Sequence, residues 1–87
     1  MTIKRGGDVF TAPLDDALLM MNVSTGTYYG LNGVAARIWE LLEQPTTEAA
    51  LIEQLLAEYD VDASACAEQV TAFLARLRER GLLVEMS

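Results

Sequence analysis

The chain has no histidine, a single cysteine, two prolines, and only six lysines and arginines against thirteen aspartates and glutamates. Without histidine it lacks the commonest general base, the commonest metal ligand, and the usual partner of a nucleophilic serine or cysteine. One cysteine forms no internal disulfide and supplies no zinc-ligand pair. In its alanine-rich helical surroundings Cys66 reads as a small buried hydrophobe. The formal net charge of −7 leaves no basic surface to neutralise phosphates, which argues against a winged-helix DNA binder. No glycine-rich phosphate loop is present, since Gly6-Gly7 lacks the spacing and the lysine of such motifs. Asp15-Asp16, adjacent acids after Pro13-Leu14, read as a turn rather than a metal or acid pair. Residues 1–7 contain no apolar signal core. The densest apolar run, residues 17–21, is far shorter than the roughly 20 residues a membrane helix requires. These absences lead us to expect a cytoplasmic protein that is not an enzyme, carries no metal or cofactor, and binds neither nucleic acid nor membrane.

What is present is a hydrophobic fraction of 52% in 87 residues, enough for one small domain with a core of its own. Residues 8–12 combine β-branched and aromatic side chains and stop at Pro13, which predicts a first strand. A turn over residues 13–16 leads to a second strand over the apolar run 17–23. Ser24-Thr25-Gly26 reverses the chain, and residues 27–31 form a third strand, with Tyr29 and Leu31 on one face and Tyr28 on the other. The period then changes. Asn32 is the expected cap of a first helix, in which Val34, Ile38, Leu41 and Leu42 recur at helical spacing beside Ala35 and Trp39 until Gln44-Pro45. Thr46 is expected to cap a second helix with the stripe Leu51, Ile52, Leu55, Leu56 and Tyr59. Asp62 caps a third, with Cys66, Val70, Phe73, Leu74 and Leu77 inward. It ends near Arg80 with Gly81 as the C-terminal stop, and Leu82-Leu83-Val84 packs back as an extended tail. The expected fold class is α+β and winged-helix-like, a three-stranded antiparallel sheet followed by three helices in a single domain spanning residues 1–87.

Three stretches, in this order, resemble the PqqD-like family. The first is Gly26-Thr27-Tyr28-Tyr29-Gly30-Leu31-Asn32 running into Ala35-Ala36-Arg37-Ile38-Trp39-Glu40-Leu41-Leu42. The second is Thr46-Thr47-Glu48 with residues 51–59. The third is Val70-Thr71-Ala72-Phe73-Leu74-Ala75-Arg76-Leu77 closing on Arg80-Gly81-Leu82-Leu83. One departure is Gln69, where family members often carry an aspartate. The resemblance implies a recognition element of ribosomal peptide pathways. Such an element binds the leader region of a precursor peptide and presents it to a leader protease or other modifying enzyme. In this family the leader adds as a strand against the third strand, facing the third helix. The chain looks most like the stand-alone leader-binding protein of lasso-peptide pathways. A PqqD-type chaperone for a radical enzyme is the alternative, followed by a homodimer paired through the third strand.

The residues fit that mode of binding. Residues 27–31 contain no proline, lysine or other charge to block an exposed edge, and Gly30 admits a second backbone closely. The expected peptide site uses Thr27, Tyr28, Tyr29, Gly30 and Leu31 with Met21 from the sheet. From the third helix it takes Cys66, Val70, Phe73 and Leu77. Arg76 and Arg80 stand at its rim to select acidic side chains.

Overall fold

The computed structural model describes residues 2–15 and 17–86, with the side chain of Asn32 left out. The described residues form five strands and three helices, in the order β1 (Thr2–Arg5), β2 (Val9–Leu14), β3 (Ala17–Asn22), β4 (Thr27–Asn32), α1 (Gly33–Leu41), α2 (Glu48–Glu58), α3 (Ala63–Glu79) and β5 (Leu83–Met86). The meander and the three helices agree with the sequence reading. Its first, second and third strands are β2, β3 and β4, which form an antiparallel sheet in that order.

Local chemistry explains the connections. Leu14 pairs with Ala17, closing a tight reversal in which Asp15 has φ 51°, a left-handed conformation that aspartate tolerates. The expected turn over residues 13–16 is therefore shorter, because β2 runs on through Pro13 and Leu14; Asp16 lies outside the described residues. At the next reversal Asn22 pairs with Thr27. The Asn22 side-chain oxygen accepts from the Ser24 and Thr25 amides at 3.0 and 3.4 Å. Gly26, at φ 71°, donates its amide to the Asn22 carbonyl. A buried polar side chain is thus satisfied by the turn it builds.

The helix ends also follow from named residues. Asp62 caps α3 by accepting from the Ala65 amide at 3.0 Å. At the other end Leu82 donates to the Leu77 carbonyl and Gly81, at φ 70°, to that of Arg78, a Schellman closure sealed by burial of Leu77 and Leu82. For α2 the expected cap, Thr46, is replaced by its neighbour: the Thr47 hydroxyl accepts from the Ala50 amide. Thr46 is engaged elsewhere, because its amide and carbonyl exchange hydrogen bonds with Ile3. Asn32, the expected cap of α1, closes β4, and its side chain lies outside what is described.

The element absent from the sequence reading is β1. Residues 2–5 pair with residues 83–86 in a second, two-stranded sheet, so the tail after α3 is the strand β5. Ile3 drops from β1 into the core, which also holds Trp39, Leu42 and Leu82, and the N-terminal segment is stapled down by the Arg5 amide donating to the Leu42 carbonyl and the Gly6 amide to that of Leu82. The core between sheet and helices is completed by Met20, Leu31, Ile38, Leu51, Leu55, Cys66, Val70, Leu74 and Leu77.

Candidate functional site: the open edge of β4 and the face of α3

Val23 donates its amide to the Asp8 carbonyl. In an antiparallel pair, hydrogen-bonded positions alternate. With the observed register, the backbone groups of Ala17, Leu19 and Met21 therefore point to β2, and those of Leu18, Met20 and Asn22 to β4. On β4, Thr27, Tyr29 and Leu31 face β3, whereas the N–H and C=O groups of Tyr28 and Gly30 and the N–H of Asn32 point away from the sheet. The same alternation turns the nitrogen of Pro13 to the outer edge of β2, where the missing donor costs nothing. Among the described residues the sheet thus ends at β4 in a row of unpaired donors and acceptors, with no charge or proline to blunt it.

A groove separates this edge from α3. One cavity of about 370 Å³ is bounded by Tyr28, Tyr29, Gly30 and Leu31 of β4, by Phe73, Arg76, Leu77 and Arg80 of α3, and by Met20 and Leu82. A second of about 390 Å³ continues it past the start of α1, between Gly33, Val34, Ala35 and Ile38 on one side and Gln69, Ala72, Phe73 and Arg76 on the other. Phe73 and Arg76 belong to both cavities, so the two form one trough. The Arg80 guanidinium lies over the Tyr29 ring, 4.7 Å from its centroid.

Arg5, Arg37 and Arg78 are each paired with a carboxylate, of Glu43, Glu58 and Glu85 respectively. Among the described residues the cations without an ion pair are Arg76 and Arg80 at the trough and the exposed Lys4 on β1. The three C-terminal arginines of α3 therefore split, with Arg78 turned to β5 and the other two presented at the groove.

Most of the expected site residues converge here. Tyr28, Tyr29, Gly30, Leu31, Phe73, Arg76, Leu77 and Arg80 line the trough, and Thr27 stands at its strand's start. Three positions differ. Met20, not Met21, lines the groove: Met20 shares the helix-facing side with Tyr29, and Met21 pairs with Tyr28 on the opposite face. Cys66 and Val70 lie in the core, 2% and 0% exposed, and do not line the trough. Helical periodicity marks an inward face, but it does not separate core from groove wall. The reading also omitted Gly33, Val34, Gln69 and Ala72. The sequence signal for two of these was the α3 stripe Gln69, Ala72, Phe73, Arg76 at spacings of three and four.

Among the described residues no group of three or more potential ligands is placed to hold a metal ion. No helix of the described residues is long and apolar enough to cross a membrane.

Comparison with known proteins places this geometry in a family. No curated protein matches the chain. The solved structure described as "TbiB1 in Complex with the TbiA(beta) Leader Peptide" is 33% identical, with 97% of this chain and 98% of that chain covered and a TM-score of 0.82. A second, "Lasso peptide synthetase B1 complexed with the leader peptide", shares the fold at 23% identity and a TM-score of 0.80, over 95% of this chain and 98% of that one. The family model for coenzyme PQQ synthesis protein D (PqqD) matches residues 17–83, which run from the start of β3 through the whole trough into β5, and the chain belongs to the PqqD family.

Proposed function

We propose that this protein binds the leader segment of a ribosomally made precursor peptide as an added strand on β4 and delivers it to a processing enzyme, such as the leader protease of a lasso-peptide pathway. It acts by binding, and the chemistry belongs to the partner enzyme. The observation that carries this reading is the free edge at Tyr28, Gly30 and Asn32, facing α3 across an open trough. The 33% identical relative, described in complex with a leader peptide, supports it.

Magnitudes show how the two halves of the site share the work. Four ladder hydrogen bonds contribute about 2–6 kcal/mol net, while ordering a flexible peptide costs about 2–5 kcal/mol. A micromolar complex requires about 8 kcal/mol. The ladder alone falls short. Two or three apolar peptide side chains seated in the trough, at about 1.5–3 kcal/mol each, close the difference. Phe73, common to both cavities, is the centre of that contact. Arg76 and Arg80 speed the encounter of an acidic leader and fix its register.

The test is fluorescence anisotropy with labelled leader peptides from lasso-peptide and radical-enzyme pathways. We expect low-micromolar or tighter binding to one class. Phe73→Ala should weaken it about tenfold or more while circular dichroism stays native. Unchanged affinity in a folded Phe73→Ala protein would remove the trough from the account.

A further inference from the structure

A smaller cavity lies at the other edge of the sheet, against β2. It measures about 190 Å³, and its walls are Arg5 at the end of β1, Gly6 and Gly7 of the link, Val9 and Thr11 of β2, and Trp39 of α1. These walls are rich in donors. The pairing that turns the Pro13 nitrogen outward also turns out the amides of Val9 and Thr11. Gly7 gives its amide to no backbone acceptor among the described residues. The indole N–H of Trp39, a residue only 2% exposed, is buried without a hydrogen-bond partner among them. Buried donors are nearly always satisfied, so an unpaired one points to an acceptor that the chain itself does not supply. Arg5 adds the charge. Its guanidinium stands over the Trp39 ring, 5.4 Å from the centroid. It is loosely held, 3.4 Å from the Trp39 carbonyl and 4.0 Å from the carboxylate of Glu43, whose side chain is 67% exposed. No acid is among the residues that line the cavity.

We propose that this cavity binds a carboxylate, held by the Arg5 guanidinium fork and the Trp39 indole N–H. The site is independent of leader binding, and none of its walls belongs to the trough. Three features fix the chemistry. A planar carboxylate accepts from both prongs of one guanidinium and still reaches a further donor. A single cation, on a chain of net charge −7, matches one negative charge and not the two of phosphate. A volume of about 190 Å³ is below the roughly 300 Å³ at which sites for whole metabolites begin, so the ligand inserts a carboxylate head and leaves the remainder outside. The indole nitrogen is closed to solvent, and the carboxylate reaches it as the loosely held Arg5 side chain turns from Glu43 to the ligand. Such a carboxylate has two sources. One is an acidic side chain on an extended segment paired with the outward groups of Val9 and Thr11; the other is a free small carboxylate.

Trp39 is the single tryptophan, so the chain gives one indole N–H resonance and the donor is read directly. The isotope-labelled full chain is titrated with sodium acetate, with a short glutamate peptide and with sodium phosphate, each against chloride at equal ionic strength. Acetate should move the indole resonance downfield and saturate, with a Kd on the order of millimolar for so small a ligand. Arg5→Gln should weaken that binding about tenfold or more. Glu43→Gln, which removes the competing carboxylate, should tighten it about two- to fivefold. Leader affinity should stay unchanged in both variants. Peptide binding tighter than acetate, with shifts at the Val9 and Thr11 amides, assigns the carboxylate to an extended segment; equal or weaker peptide binding assigns it to a free one. An indole resonance that follows chloride as it follows acetate overturns the proposal, as does tighter binding of phosphate than of acetate. Acetate binding undiminished in a folded Arg5→Gln protein overturns it too. An indole N–H with a cross-peak to bound water and no response to carboxylate overturns it in favour of solvent. If Arg5→Gln fails to fold, Arg5→Lys keeps the charge, loses the fork and should weaken acetate binding several-fold; wild-type affinity in that protein overturns the proposal instead.

Discussion

Replacing Gly30 by proline removes one donor from the free edge of β4 and nothing from the ladder to β3, because the Gly30 amide points outward. A Cβ added at Gly30 meets no atom within 4 Å apart from its chain neighbours, so a side chain is accommodated at this position. Pro13 already occupies the equivalent outward position on β2. Stability should therefore change by no more than about 1 kcal/mol. Peptide binding should suffer more. The lost ladder bond is worth about 0.5–1.5 kcal/mol, and the peptide carbonyl left without a donor costs about 1–3 kcal/mol more. Together these weaken affinity by between about one and three powers of ten. The assay is anisotropy with labelled leader, paired with a thermal melt. Tyr29→Pro is the contrasting control: its amide faces β3, so it should lower the melting temperature sharply. A folded Gly30→Pro protein with wild-type affinity would refute strand addition at this edge.

Other outcomes follow from named contacts. Arg76→Gln and Arg80→Gln should each weaken leader binding about two- to fivefold, and the double change should flatten the dependence of the on-rate on salt, read by stopped-flow. Thr47→Ala should cost about 1 kcal/mol through the lost cap of α2, measured by urea denaturation. The hydrogen bonds of Arg37 and then of Gln54 hold the Glu58 carboxyl down to about 2 from an ordinary 4.5. A depressed pKa stabilises the fold fully above the ordinary value and is lost as pH falls from there toward about 2. Wild type and Glu58→Gln should therefore differ in urea midpoint at pH 7 and converge near pH 2; a difference independent of pH would exclude the linkage.

The parts of the fold legible in the sequence are those specified by neighbours in the chain. Asp62 and Gly81 bracket α3, Gly26 reverses the meander, and the change from alternating to helical period falls at Gly33, where α1 begins. The parts that escaped depend on distant partners. Residues 2–5 are short and polar, and they become a strand only because residues 83–86 return beside them. Thr46 and Thr47 are equivalent caps by composition, and it is the bridge to Ile3 that engages the first and leaves the second to cap α2. β2 passes through Pro13 because its nitrogen faces the open side. The site was legible to the same degree. The alternation of Tyr28 and Tyr29 and the lack of any blocking residue over residues 27–31 marked the edge strand. The depth of Cys66 and Val70 beneath the trough, and its extension to Gly33 and Gln69, depend on how α1 and α3 cross and are not written in either helix alone.

Amide hydrogen exchange with and without saturating leader peptide tests strand addition on β4 most directly. The amides of Tyr29 and Leu31 already bond to β3 and should be protected in both states, while those of Tyr28, Gly30 and Asn32 should exchange quickly when free and gain protection only with leader bound. That alternating pattern is the signature of an added strand. Binding that leaves Tyr28, Gly30 and Asn32 exchanging as in the free protein would contradict it.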